Sequence, residues 1–151
     1  MALRWSHAAL NCRNLDVTEE FYRRWFGMTR ARAFDVAGAR FVFLRLGDAY
    51  LELCSLEPEE AATGPAPEPS ADGPHTAGAV RHLAFQTEDV DGFLARMGDA
   101  ARVTLGPLDF DAFIPGWRSV WLADPEGNVV EVSQGYRDLP EGADGANLTV
   151  G

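Results

Sequence analysis

The sequence predicts an α+β fold built of two successive β-α-β-β-β halves, and three observations predict it. The segments SHAALNCRNLD (6–16) and RHLAFQTEDVD (81–91) each place a His nine residues ahead of an Asp. Each half closes on a strand-like stretch with a central Glu, AYLELCS (49–55) and NVVEVSQ (128–134). Between these landmarks the same order of alternating and helical apolar spacing recurs.

The elements follow in order. Residues 3–10 alternate and read as a strand. In NLDVTEEFYRRWFG (14–27), Leu15, Val17, Phe21, Tyr22, Trp25 and Phe26 recur near helical spacing. Asp16 or Thr18 suits the start of that helix and Gly27 its C-terminal end. A short strand is expected near 29–36. Residues 39–55 read as two strands joined at a Gly47-Asp48 turn. Residues 57–79 carry Pro58, Pro65, Pro67, Pro69 and Pro74 without apolar periodicity, the signature of a flexible linker. The second half is expected to run as a strand over 80–87, a helix near 89–98, and strands near 101–105, 118–123 and 128–134. DPEGN (124–128) has turn chemistry. The organisation is then a first module over 1–56, a linker over 57–79, a second module over 80–137 and a loose tail over 138–151, one domain in all.

The chain has 151 residues and a formal net charge of −10, so a phosphate backbone is repelled and nucleic acid is excluded as a partner. All 13 basic residues are Arg, which rules out Schiff-base and lysine general-base chemistry. The two cysteines, Cys12 and Cys54, lie in strand-like runs and imply no disulfide framework. No apolar run reaches membrane-spanning length and no signal peptide is read, so a cytoplasmic protein with no membrane partner is expected.

His7, Glu52, His82 and Glu131 are the candidate metal ligands. Alternate residues of a strand share a face. Glu52 then sides with Tyr50 and Cys54, against Leu51 and Leu53. Glu131 sides with Val129 and Ser133, and His82 with Ala84 and Gln86. An ionised Glu within an apolar strand is costly unless it is paired or bound to metal. Two such strands, each matched by a His, point to one divalent ion, with Ni, Co, Zn, Fe and Mn all admissible. His75 falls in the linker and reads as an exposed residue.

FYRRWFGM (21–28) and WLADPEGNVVEVSQ (121–134) resemble motifs of the vicinal oxygen chelate superfamily. That group includes glyoxalase I, methylmalonyl-CoA epimerase, extradiol dioxygenases, fosfomycin-resistance enzymes and bleomycin-resistance proteins. The resemblance spans about residues 3–136 without the linker. It implies paired βαβββ modules whose eight strands form a curved sheet around a metal-binding cavity. Glyoxalase I-like members carry His, Glu, His and Glu, matched here by His7, Glu52, His82 and Glu131. Epimerases usually have Gln where this chain has Glu52. Extradiol dioxygenases need further acid–base groups, often His, and the chain has only three His in all. Bleomycin-resistance proteins generally lack the ligands.

The resemblance implies a metal-dependent lyase or isomerase acting on a small carbonyl substrate through an enediolate held on the metal. Glu131 is the expected base, with Glu52 as the alternative or second one. An antibiotic-binding protein without catalysis and an extradiol-type dioxygenase are the alternative readings. Glutathione-dependent members commonly place an Arg four residues after the first His. Asn11 stands there, with Arg13 further along, which puts glutathione in doubt. Phe43, Phe113, Trp117 and Trp121 are cavity candidates that suit a flat or apolar small-molecule substrate, and residues 106–117 are a candidate lid. Modules of about 60 residues have small cores and open sheet edges. A homodimer is therefore expected, with the metal sites at or near its interface.

Overall fold

The computed structural model describes residues 2–56 and 64–143. The remaining parts of the expected linker (57–63) and tail (144–151) lie outside the described residues. The element order is β1 (His7–Cys12), α1 (Leu15–Phe26), β2 (Thr29–Val36), β3 (Ala39–Leu46), β4 (Ala49–Ser55), β5 (Leu83–Gln86), α2 (Val90–Met97), β6 (Val103–Asp109), β7 (Arg118–Ala123) and β8 (Val129–Gln134). A single 3-10 turn, Gly98–Ala100, follows α2. The fold is α+β, with two βαβββ modules as expected. The eight strands hydrogen-bond as two sheets of four, ordered β1-β4-β3-β2 and β5-β8-β7-β6. In each, the first strand runs parallel to the last and the other pairings are antiparallel.

The described residues divide into two compact units. The first takes residues up to Pro67 together with Asp124–Gly127, and the second takes Glu68–Ala123 and the residues from Asn128 onward.

In the first unit, α1 turns Leu15, Thr18, Glu19, Tyr22 and Phe26 inward. Val42, Leu44, Leu51 and Leu53 are the buried residues of the two strands it packs on. Each fully buried aliphatic or aromatic side chain contributes about 1.5–3 kcal/mol. Gly27 closes the helix in the left-handed region at φ 67°, as its sequence position predicts. The start differs from expectation: Asn14 is the cap, its side chain accepting from the Val17 N–H at 3.2 Å. Thr18 instead turns its hydroxyl to the Asn14 carbonyl. Glu19 is buried and held by Arg30.

The DPEGN turn seats on this helix. Glu126 Oε1 accepts from the Asn14 N–H and from the Thr18 hydroxyl, both at 2.9 Å, and Glu126 Oε2 faces Arg13 Nε at 3.3 Å. The Tyr22 hydroxyl donates to Asp124 Oδ2 at 2.8 Å, and Asp124 Oδ1 accepts from the Glu126 N–H. A carboxylate at a helix N-terminus meets the unpaired N–H groups and the positive end of the dipole. Burial acts to raise the Glu126 pKa, but the donors from Asn14, Arg13 and Thr18 outweigh it and hold the carboxyl below its ordinary value. Burial first, then the Glu126 charge, pushes the Cys12 thiol up to about 12, so Cys12 is a core residue and no nucleophile.

In the second unit, α2 is capped by Asp89, which accepts from the Gly92 N–H, and it buries Val90, Phe93 and Met97. It packs on β7 and β8, where Val120, Leu122, Val130 and Val132 are buried.

Three strand boundaries depart from the sequence reading. The first strand begins at His7 and not at residue 3, because its neighbour β4 begins only at Ala49, after the Gly47-Asp48 turn, and residues 3–6 have no strand beside them. Likewise β5 begins just after His82. β6 reaches Asp109 because β7 continues to pair with it as far as Arg118. No helix among the described residues is long and apolar enough to cross a membrane.

Candidate metal and substrate site

Each unit places one His beside one Glu. In the first, parallel pairing sets His7 opposite Tyr50 and Ala9 opposite Glu52, so His7 and Glu52 are diagonal neighbours on one face. His7 Nε2 lies 3.3 Å from Glu52 Oε2. In the second, Ala84 opposes Glu131, which leaves His82 one step out on the same face. His82 Nε2 lies 2.9 Å from Glu131 Oε2. The second pair is the more enclosed: its side chains are 22% and 13% exposed, against 36% and 17% for the first.

The correspondence extends to an aromatic residue. Phe43 opposes Glu52 across β3 and β4, and its ring meets His7 edge-on at 5.2 Å. Trp121 opposes Glu131 across β7 and β8, and meets His82 edge-on at 6.3 Å. Phe43 is half-buried and stacks on Phe34, whereas Trp121 is buried and packs against Phe110.

The partners of the second pair orient it. His82 Nδ1 donates to the Asp72 backbone carbonyl at 2.7 Å, and the Ser119 hydroxyl donates to Glu131 Oε1 at 2.6 Å. A carbonyl only accepts, so Nδ1 carries a proton, and Nε2 is the ring nitrogen that faces the carboxylate. A proton on Nε2 or a metal cation held by both groups would satisfy that approach. His7 Nδ1 touches the Ser6 hydroxyl at 2.9 Å, which can donate or accept and so fixes no tautomer. Among the described residues no group of three or more His, Cys, Asp or Glu side chains is placed to hold a metal ion.

The remaining sequence candidates scatter. Asn11 is exposed on β1. Arg13 is turned to Glu126 and to the Gly64 carbonyl at 3.1 Å. Phe113 is exposed in the turn after β6, while Trp117 at the end of that turn lines a cavity of about 340 Å³. Glu131, Ser133, Gln86, Ala84, Phe85 and Tyr136 complete its lining. Of the candidate lid, residues up to Asp109 belong to β6. Asp72, Ser119 and Ser133 were not legible as site residues. Ser133 shares the face of Glu131 on β8 and Ser119 that of Trp121 on β7, so both were within reach of a strand-face argument. Asp72 acts through its backbone, and no side-chain pattern announces that.

An α+β chain of two βαβββ modules, each presenting a His–Glu pair, defines a paired-module fold. The chain belongs to the Glyoxalase/Bleomycin resistance protein/Dioxygenase superfamily, whose family model matches residues 4–132. Its fold is similar to that of a lactoylglutathione lyase from Agrobacterium tumefaciens, at 28% identity over 89% of this chain and 96% of that one, TM-score 0.58. It is also similar to the trypanothione-dependent glyoxalase I of Leishmania major, at 23% identity over 88% and 87%, TM-score 0.63. The fosfomycin resistance protein FosX of Listeria monocytogenes, solved with Mn(II) and sulfate, shares the fold at 18% identity over 90% and 95%, TM-score 0.62. No protein of curated function matches the sequence.

Proposed function

We propose that this protein is a glyoxalase-type metal-dependent lyase or isomerase that moves a proton between neighbouring carbons of a small carbonyl substrate through an enediolate. The observation that carries the reading is the doubling of the His–Glu pair, at 3.3 Å in one unit and 2.9 Å in the other. The donor set fits a divalent ion of the Ni, Co, Zn, Fe or Mn group, and the Nδ1–H tautomer at His82 is the one a metal-binding imidazole needs. His7 with Glu52, and His82 with Glu131, would each offer two donors to such an ion. When bound, it would polarise the substrate carbonyl and stabilise the enediolate oxygens.

The chain's own groups do the rest. Glu131 takes the proton from the carbon beside the carbonyl and returns it to the neighbouring carbon. It is favoured over Glu52 because it is the more enclosed carboxylate and a cavity lies against it. Ser119 holds Glu131 Oε1, so Oε2, the oxygen beside His82, is the one that would leave the ion to act as base. Glu52 is the second ligand carboxylate and the alternative base. The relatives named for lactoylglutathione and trypanothione support the reaction class. The thiol is a different matter: Asn11 offers no charge, and Arg13 is committed to Glu126.

The test is metal content after reconstitution, together with deuterium uptake from D2O into an α-hydroxycarbonyl. About one ion per chain with exchange at carbon supports the reading. Absence of stoichiometric metal and of exchange would overturn it in favour of a non-catalytic small-molecule binder.

A further inference from the structure

The cavity of about 340 Å³ in the second unit has a composition that selects its ligand. Its walls are aromatic. Phe85, Trp117 and Tyr136 line it, with Trp117 and Tyr136 at 5.7 Å between ring centroids, and Phe110 backs Trp117 from outside the lining. Ala84 lies opposite Glu131 on the sheet, and on that strand it adds only a methyl to the lining beside the carboxylate. Ser133 accepts from Trp117 Nε1 at 3.2 Å, which leaves its hydroxyl proton to donate to a ligand oxygen. A cavity of about 150 Å³ suffices for benzene, so this one has room for a substituted or fused ring.

The charges select further. Among the described residues Glu131 is the one carboxylate in the lining, and no Arg lines the cavity. The neighbouring Arg118 is held by Asp91 at 3.1 Å and Asp109 at 2.7 Å. An anion on the aromatic walls would find no side-chain cation in the described lining to pair it, an arrangement costly for a desolvated charge.

We infer that this cavity seats an uncharged aryl group, so that the substrate is an aryl-substituted hydroxycarbonyl whose reacting carbons lie at Glu131. The inference rests on the proposed function for the reacting end only. The aryl end stands on the cavity itself.

The experiment compares three ketols that offer the same reacting group: 2-hydroxyacetophenone, its ring-carboxylated analogue 4-(2-hydroxyacetyl)benzoate, and dihydroxyacetone. Affinities are measured on the full chain by calorimetry. The neutral aryl ketol should bind about tenfold or more tighter than either comparison compound, the discrimination a shaped apolar pocket provides. Ala84→Leu, which fills the cavity, should remove that advantage. Tyr136→Ala, at a residue 46% exposed, is the second variant should Ala84→Leu fail to fold, and it should weaken only the aryl ketol. The inference is overturned if the carboxylated ring binds as well as the neutral one. It is equally overturned if the aryl ketol shows no binding at millimolar concentration, or if neither variant alters the preference. Because all three compounds share the ketol, ring preference without solvent exchange at carbon would sink the enediolate reading and leave the aryl cavity standing. Exchange without ring preference would do the reverse.

Discussion

His82 Nδ1 lies 2.7 Å from the backbone carbonyl oxygen of Asp72, and that one contact decides which nitrogen faces Glu131. The carbonyl is held by its surroundings. Thr104 donates to the preceding carbonyl, Ala71, at 2.6 Å. The Asp72 carboxylate meets His75 at 2.7 Å and Arg81 at 3.4 Å, and the His75 hydrogen bond first of all draws its pKa below the ordinary carboxylate value. Gly73, next in the chain, has φ 114°, and a Cβ added there would overlap the Arg81 carbonyl oxygen.

Gly73→Ala should therefore push the Ala71–Gly73 turn away from His82. Metal affinity should fall about 10–100-fold, the usual cost of losing a partner that orients a ligand. Nitrogen NMR of the imidazole, read without metal, should show a mixture of tautomers where the parent shows one. An unchanged tautomer in the variant would show that the carbonyl does not govern the ring.

Glu131→Gln should keep the fold and most of the metal affinity, since Gln still presents an oxygen, while turnover falls by about two orders of magnitude or more. Glu52→Gln should cost less. His7→Ala should weaken metal binding more than either Gln variant. Steady-state rates on an α-hydroxycarbonyl and a metal titration check the set, and a larger loss at Glu52 would exchange the two roles.

Glu126→Gln should destabilise the protein at neutral pH by about 3 kcal/mol, the order expected when a buried, paired carboxylate loses its charge. The folded pKa of Glu126 is depressed, so its stabilisation is present above the unfolded Glu value of about 4.3 and is lost as pH falls through the folded value. Urea denaturation should show a constant gap between parent and variant near neutrality, closing only in the acid range below that value. A gap that persists at the lowest pH would mean that the charge is not what Glu126 contributes.

The protein should sediment as a homodimer at micromolar concentration. Both sheets end on strands with exposed apolar groups, Phe34 and Val36 on β2 and Val103 and Leu108 on β6, and Trp5 is 75% exposed. Open edges of this kind are normally covered. Sedimentation equilibrium that fits a monomer across that range would refute the assignment.

Strand faces were legible because a period of two needs only side-chain identity. Leu51 and Leu53 are buried while Tyr50, Glu52 and Cys54 are half-exposed, as alternation requires. The His–Glu pairs were legible because a strand His followed by a mid-strand Glu recurs in both halves, 45 residues apart in one and 49 in the other. Asn14 was missed as the cap because Asp16 and Thr18 offer the same chemistry nearby, and only the position of the Glu126 carboxylate separates them. Arg13 read as a free cation for substrate, since a partner more than a hundred residues away in sequence leaves no local mark.

The seating of Asp124 and Glu126 in the first unit also bears on where the chain tolerates a break. A fragment ending near Pro67 would carry every strand of its sheet and its whole helix, yet the Tyr22 hydroxyl and the Asn14 N–H would have lost their acceptors. Such a piece is an unfinished module. It would gain its missing turn only by complementation with the rest of the chain, or by borrowing the turn from a second copy.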